Sequence, residues 1–193
     1  MKRELAPIRS ASGAARAEGT AMPVKKIIEL GNPLLWERSS PVEEPSASSA
    51  LELVNDLKDT LNAFRAEHEF GRGIAAPQIG VLKRVVFVDM RPDGFSGALI
   101  NPEIASESSE RYETWVSCFS FPELLIRVSR ASEVRVAYMD TEGTPQTLDA
   151  TGELAALLQR EIDHLDGVLA VEKAISPRAF MSRTEWERQD RPF

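Results

Sequence analysis

Arg160-Glu161-Ile162-Asp163-His164 differs at one position from a pattern that carries metal chemistry. In the intact pattern, His-Glu-x-x-His on a helix, the two histidines lie at i and i+4 on one face. Both then reach one metal, and the glutamate between them moves protons. Here the glutamate and the second histidine are in place, and arginine stands where the first histidine would be. A guanidinium has only N–H donors and a permanent charge, so it offers a divalent ion no lone pair. Two other segments carry residue types that could join such a site. Gly71-Arg72-Gly73-Ile74-Ala75-Ala76-Pro77-Gln78 combines small residues, which let backbone approach a ligand, with an amide that both donates and accepts. Val116-Ser117-Cys118-Phe119-Ser120-Phe121-Pro122 holds the single cysteine. Taken singly, each has an ordinary reading: a tight turn, a small buried thiol, a hydrogen-bonded core histidine.

These residues need elements to hold them. Leu53, Leu57, Leu61 and Phe64 recur at helical spacing, which predicts a helix over 51–70 closed by Gly71. Residues 26–30 alternate loosely and end at the turn Gly31-Asn32-Pro33, and a loop rich in Pro and Ser covers 41–49. After the Gly-rich loop, Val85-Val86-Phe87-Val88 reads as a buried strand and Ala98-Leu99-Ile100 as another, stopped by Asn101-Pro102. Further strands are expected over 114–118, 124–128, 134–139 and 146–148, the last two forming a hairpin about Asp140-Thr141-Glu142-Gly143. Thr151 is placed to N-cap a helix to Asp166, with Leu154, Leu157, Leu158, Ile162 and Leu165 as its apolar stripe and Gly167 as its stop. A last amphipathic helix is expected from Pro177 through Trp186. The order predicts an α+β fold in which the helix bearing the Arg-Glu-x-x-His segment packs against sheet.

The chain of 193 residues is long enough for one well-packed domain. Residues 1–21 are small, polar and aperiodic, and read as a disordered extension or as sequence upstream of a genuine start at Met22; 22–193 form the domain. A formal charge of −7 argues against nucleic acid as a partner. One cysteine permits no internal disulfide and fits a reducing compartment, and no apolar run is long enough for a bilayer, so the expected location is the cytoplasm.

Together, in this order, the three segments resemble peptide deformylase, the family that removes formyl groups from the N-terminal methionine of new proteins. That family carries Gly-hydrophobic-Gly-hydrophobic-Ala-Ala-x-Gln, then Glu-Gly-Cys-hydrophobic-Ser, then Gln-His-Glu-hydrophobic-Asp-His. The resemblance runs from Pro23 to Pro177 and includes Gly-Asn-Pro-Leu-Leu at 31–35, Leu-Ile-Asn-Pro-Glu-Ile at 99–104 and His-Leu-Asp-Gly-Val-Leu at 164–169. It implies a deformylase-like fold, with antiparallel and mixed sheets around a central helix. It also implies a metal, ferrous iron with zinc, nickel or cobalt as substitutes, held through Cys118 and His164, with Arg160 in the third ligand's place. Glu161 is implied as the catalytic proton carrier, and Gln78 with the backbone N–H of Phe119 as the oxyanion donors. Arg72, Gly73 and Ile74 are implied at the substrate pocket. The implied partner is a formyl-methionyl peptide or nascent chain at the ribosome, bound by a monomer or weak dimer, with no direct contact to nucleic acid or membrane.

Four departures fall inside these motifs. Arg160 replaces a ligand, Val116 and Ser117 replace Glu-Gly before the cysteine, and Arg72 replaces a hydrophobic residue between the glycines. A guanidinium about 4 Å from a doubly charged ion is repelled by roughly 8 kcal/mol at an effective dielectric of about 20. Two protein ligands also fall short of the three usual at catalytic sites. The only other histidine, His68, lies at the end of the first helix and would need a rearrangement to serve. Three readings follow: a deformylase with an altered, weakened site; a metal-free relative that binds formylated or nascent peptides; or thiol chemistry at Cys118, with Arg160 lowering its pKa.

Overall fold

The computed structural model describes residues 24–92 and 94–189; the expected extension at 1–21 lies outside them. In chain order the elements are α1 (Ser48–His68), β1 (Gly73–Ala75), β2 (Val85–Asp89), β3 (Ser96–Glu107), β4 (Arg111–Cys118), β5 (Phe121–Ala131), β6 (Glu133–Met139), β7 (Pro145–Thr151), α2 (Gly152–Leu165), β8 (Phe180–Ser182) and α3 (Arg183–Arg188). They form a five-stranded sheet in the order β1-β2-β3-β6-β7 and a three-stranded sheet β4-β5-β8, every pairing antiparallel. The α+β expectation holds.

The large sheet lies between the two long helices. On one side Leu157, Leu158, Ile162 and Leu165 of α2 pack on Val86, Val88, Leu99 and Val136. On the other, Leu53, Leu57, Leu61 and Phe64 of α1 pack on Ile74, Val85, Phe87 and Ile100. β2 therefore reads as a continuous apolar run because both of its faces are covered. The small sheet contributes Val116, Cys118, Phe121, Ile126 and Val128 to a third apolar cluster. Among the described residues, no helix is long and apolar enough to cross a membrane.

Several expectations are corrected. Residues 26–30 form no strand; instead Ile28 N–H donates to Gln78 O at 2.9 Å and Leu30 N–H to Ser120 O at 2.8 Å, which stitches two of the motif segments together. α1 stops before Gly71, because Glu69 takes the left-handed conformation (φ 62) and its N–H returns to Arg65 O. Gly71 instead makes room for an aromatic ring, since a Cβ there would collide with Phe119. Part of the Gly-rich loop is strand, with Gly73–Ala75 paired to β2. β3 runs through Asn101-Pro102 rather than ending there. Asn101 adopts φ 52 while its side chain clamps Val42 N and O at 2.8 Å, and the register shifts by a bulge that needs no N–H from proline. The expected last helix begins only at Arg183, because Phe180–Ser182 pair with β5 and Ser182 then caps the helix by accepting from Glu185 N. The hairpin about Asp140 to Gly143 forms as expected, between β6 and β7.

At the end of β2, Asp89 ties three pieces together. Its buried carboxylate accepts from Arg65 of α1 at 2.7 Å and from Arg91 at 2.7 and 2.5 Å, and its N–H donates to Arg72 O at 2.7 Å. The hydrogen bonds from Arg91, then Arg65, hold this carboxyl well below the usual carboxylate range. A depressed folded pKa gives stability that is complete above the unfolded carboxylate value and is lost as pH falls below it. Asp89→Asn is expected to cost about 2 kcal/mol at pH 7, both arginines being partly exposed, and the gap to the parent protein should close below about pH 4. Urea unfolding of both proteins across that range checks it.

Candidate functional site

α2 is locked in rotation by motif side chains that reach β5. Gln159 accepts from Ala131 N and donates to Ala131 O and Ala155 O, all at 3.0 Å, and Arg130 donates to Asp163 at 2.6 Å. With that face pinned to β5, residues 160, 161 and 164 turn toward the end of β4. There the ladder shifts register between Ser117 and Cys118, and Cys118 pairs with Phe121 across a tight turn. This brings the three motifs together.

Cys118 lies at the centre. Its sulfur is 3.3 Å from Nε2 of His164, accepts from Gln78 Nε2 at 3.3 Å and accepts from Ser120 N at 3.4 Å. Gln78 is itself held, its Oε1 accepting from Ala75 N at 2.9 Å. Glu161 and His164 are each 1% exposed. Gly73 is what admits Glu161, since a Cβ there would stand 3.1 Å from the glutamate Cγ and Oε1. Arg160 folds back on its neighbour: Nε and Nη2 donate to Glu161 Oε1 at 3.0 and 2.6 Å, and Nη1 donates to Ser117 O at 2.9 Å. Glu161 Oε2 and His164 Nδ1 are buried without a hydrogen-bond partner.

Burial dominates the protonation states. It pushes the Cys118 thiol up to about 11, the Arg160 charge opposing it only in part. Burial, then the Arg160 charge, takes His164 down to about 3, so its imidazole is neutral. Burial also raises Glu161, against the guanidinium that holds its carboxylate. The expectation that Arg160 would make Cys118 a reactive thiolate is therefore corrected: desolvation of the sulfur outweighs one neighbouring cation.

The donor set is a poor match for a divalent ion. Cys118 and His164 are in contact, but Glu161 Oε1 is engaged by a cation, and a histidine ligand ordinarily has a partner on its other nitrogen, which His164 lacks. Among the described residues, no group of three or more His, Cys, Asp or Glu side chains is disposed to hold a metal. His68 does not help, since its ring packs on Phe64 at 4.2 Å and lies 6.0 Å from the Phe70 ring.

The remaining expected residues are divided. Phe119, expected to act through its backbone N–H, directly follows Cys118, and its ring stacks on Phe64 at 3.8 Å within the α1 cluster. Ile74 is wholly buried in the same cluster, so its side chain is core and not brought to the site. Arg72 is exposed and forms an ion pair with Glu153 in the first turn of α2. Sequence reasoning missed Ser120, Gln159, Arg130 and Glu153. Ser120 and Gln159 stood within motifs, whereas Arg130 and Glu153 had no local signal.

A helix presenting Glu161 and His164 to a buried cysteine and glutamine, within an α+β frame, is the layout of a hydrolase built on a helix-borne Glu-x-x-His segment. The family model for polypeptide deformylase matches residues 24–179. Peptide deformylase of Pelotomaculum thermopropionicum is 38% identical over 164 residues, covering 85% of this chain and 100% of that protein. Peptide deformylase of Carboxydothermus hydrogenoformans is 39% identical over 153 residues, 79% of this chain and 95% of that protein. Among solved structures, peptide deformylase from Legionella pneumophila aligns at TM-score 0.74 and 35% identity, covering 86% of this chain and 92% of that one. The Ehrlichia chaffeensis peptide deformylase in complex with actinonin aligns at TM-score 0.74 and 29% identity, covering 86% and 94%. The chain belongs to the polypeptide deformylase family, whose members are metal-dependent and remove N-terminal formyl groups.

Burial both raises the Cys118 thiol, so that it stays protonated at pH 8, and shields the sulfur from reagents. Iodoacetamide at pH 8 should leave Cys118 unmodified in the folded protein and label it fully in urea. Mass spectrometry of the two samples checks this, and rapid labelling of the native protein would contradict the geometry.

Proposed function

We propose that this chain is a metal-free member of the deformylase family that binds formylated or nascent N-termini without hydrolysing them. The observation that carries the reading is the Arg160–Glu161 ion pair. The guanidinium makes three hydrogen bonds, two to Glu161 and one to the Ser117 carbonyl, so it is a built part of the site. Glu161, the residue that family resemblance assigns to proton transfer, is engaged through Oε1 by a permanent cation. That contact opposes its protonation and occupies the space beside it. Cys118 Sγ and His164 Nε2 are in contact, and burial favours the neutral form of each.

The other departures support the same reading. Val116 is buried in the apolar cluster around Cys118, where it can provide no partner for His164 Nδ1. Arg72, standing where the family has a hydrophobic residue, turns outward to pair with Glu153 and leaves that position without an apolar side chain. The likeness in fold to deformylases supports binding of a peptide N-terminus as the retained function.

The test is metal content and turnover. Protein purified after growth in iron- and zinc-replete medium is expected to hold far less than one equivalent of iron, zinc, nickel or cobalt. It should release no formate from a formyl-methionyl peptide, yet bind that peptide. Near-stoichiometric metal together with turnover would overturn the proposal. Arg160→His frees Glu161 and adds a lone-pair donor, and is expected to raise zinc uptake, read by elemental analysis. If it gains neither metal nor activity, Val116, Ser117 and Arg72 also disable the site.

A further inference from the structure

We infer that Arg160 reads the charge of a peptide N-terminus: it accepts a blocked, neutral end through its uncommitted N–H groups and turns away a free ammonium. The inference rests on the peptide binding proposed above and assigns the discrimination to one side chain.

A guanidinium has five N–H donors. Two go to Glu161 and one to Ser117 O, which leaves one N–H on each terminal nitrogen without a partner. The Arg160 side chain is 14% exposed and that of Glu161 1%, so the member of the pair that meets an arriving ligand is the cation. The carboxylate oxygen still without a partner, Glu161 Oε2, is buried behind it. Two acidic residues of the same helix are already engaged, Asp163 by Arg130 on β5 and Glu153 by Arg72 ahead of β1; Glu29 and Glu123 line a pocket with Ser120 and make no ion pair among the described residues. The exposed edge of the pair therefore presents N–H donors and a positive charge to an arriving ligand.

An N-formyl group suits that edge, because it has no charge and brings a carbonyl oxygen to accept from Arg160. A free α-amine brings a second positive charge and only donors. It can approach without penalty once it has lost its proton, and α-amines do so at about 7.7–8.0. The discrimination therefore belongs to low pH and fades as the ligand's amine deprotonates.

The experiment titrates the full chain with formyl-Met-Ala-Ser and with Met-Ala-Ser, by calorimetry, at pH 6 and pH 9. The formylated peptide is expected to bind at least about tenfold more tightly at pH 6, with the difference falling within about threefold at pH 9. In Arg160→Met/Glu161→Gln, which removes both charges and so leaves no buried carboxylate unpaired, the preference should vanish at both pH values. A circular dichroism melt confirms that this variant folds, and Arg160→Lys, which keeps the charge, should retain exclusion of the free amine. Equal binding of both peptides by the parent protein at pH 6 overturns the inference and leaves peptide binding standing. A preference that survives in the double variant overturns the role of Arg160. Binding of neither peptide, or release of formate, overturns the proposed function and this inference together.

Discussion

The ion pair between Arg160 and Glu161 is the constraint on which the site depends. A carboxylate that is 1% exposed is costly to bury, and something must compensate it. Here the compensation comes from the adjacent residue, whose guanidinium also reaches the Ser117 carbonyl and so joins α2 to the end of β4. The cation, the backbone acceptor and the carboxylate form one unit. Removing the cation alone would leave an uncompensated charge in the interior, whereas removing both charges would not. The pair thus accounts for how a site drawn from a metal-dependent family can stay packed with arginine, not histidine, at position 160.

The frame exists to hold that unit in register. α2 is fixed on the large sheet by Leu157, Leu158, Ile162 and Leu165, and its rotation is set by Gln159 on Ala131 and by Asp163 on Arg130. From the other side, the segment at 28–30 bonds to both Gln78 and Ser120, so the two loops that meet Cys118 cannot drift apart. Small residues are used where backbone comes close: Gly73 against Glu161 and Gly71 against Phe119. These contacts define an interior in which burial, more than any single charge, sets the protonation of Cys118 and His164.

The departures from the family motifs make sense as a group in three dimensions. Val116 is accommodated because it joins the apolar cluster around Cys118. Ser117 contributes through its carbonyl, which any residue could supply. Arg72 does not enter the site but turns outward to Glu153. Nothing in the structure explains why serine in particular stands at 117.

Much of this was legible in the linear chain. The apolar stripes of α1 and α2, the doubly covered β2 and the β6–β7 hairpin follow from periodicity and turn residues, which are local properties. The three motifs marked Gln78, Cys118, Glu161 and His164, and donor chemistry alone showed that Arg160 could not be a ligand. What local pattern could not decide were features set by distant partners. β3 continues past Asn101-Pro102 because Val42 receives the asparagine amide, and residues 180–182 become strand because β5 has an edge to offer. Arg160 is the sharpest case. Its sequence position permits it to reach solvent, thiol or carboxylate, and the choice depends on a backbone carbonyl on another element. A side chain's type is written in the sequence, but the desolvation and the partners that determine its charge and direction exist only once the chain has packed.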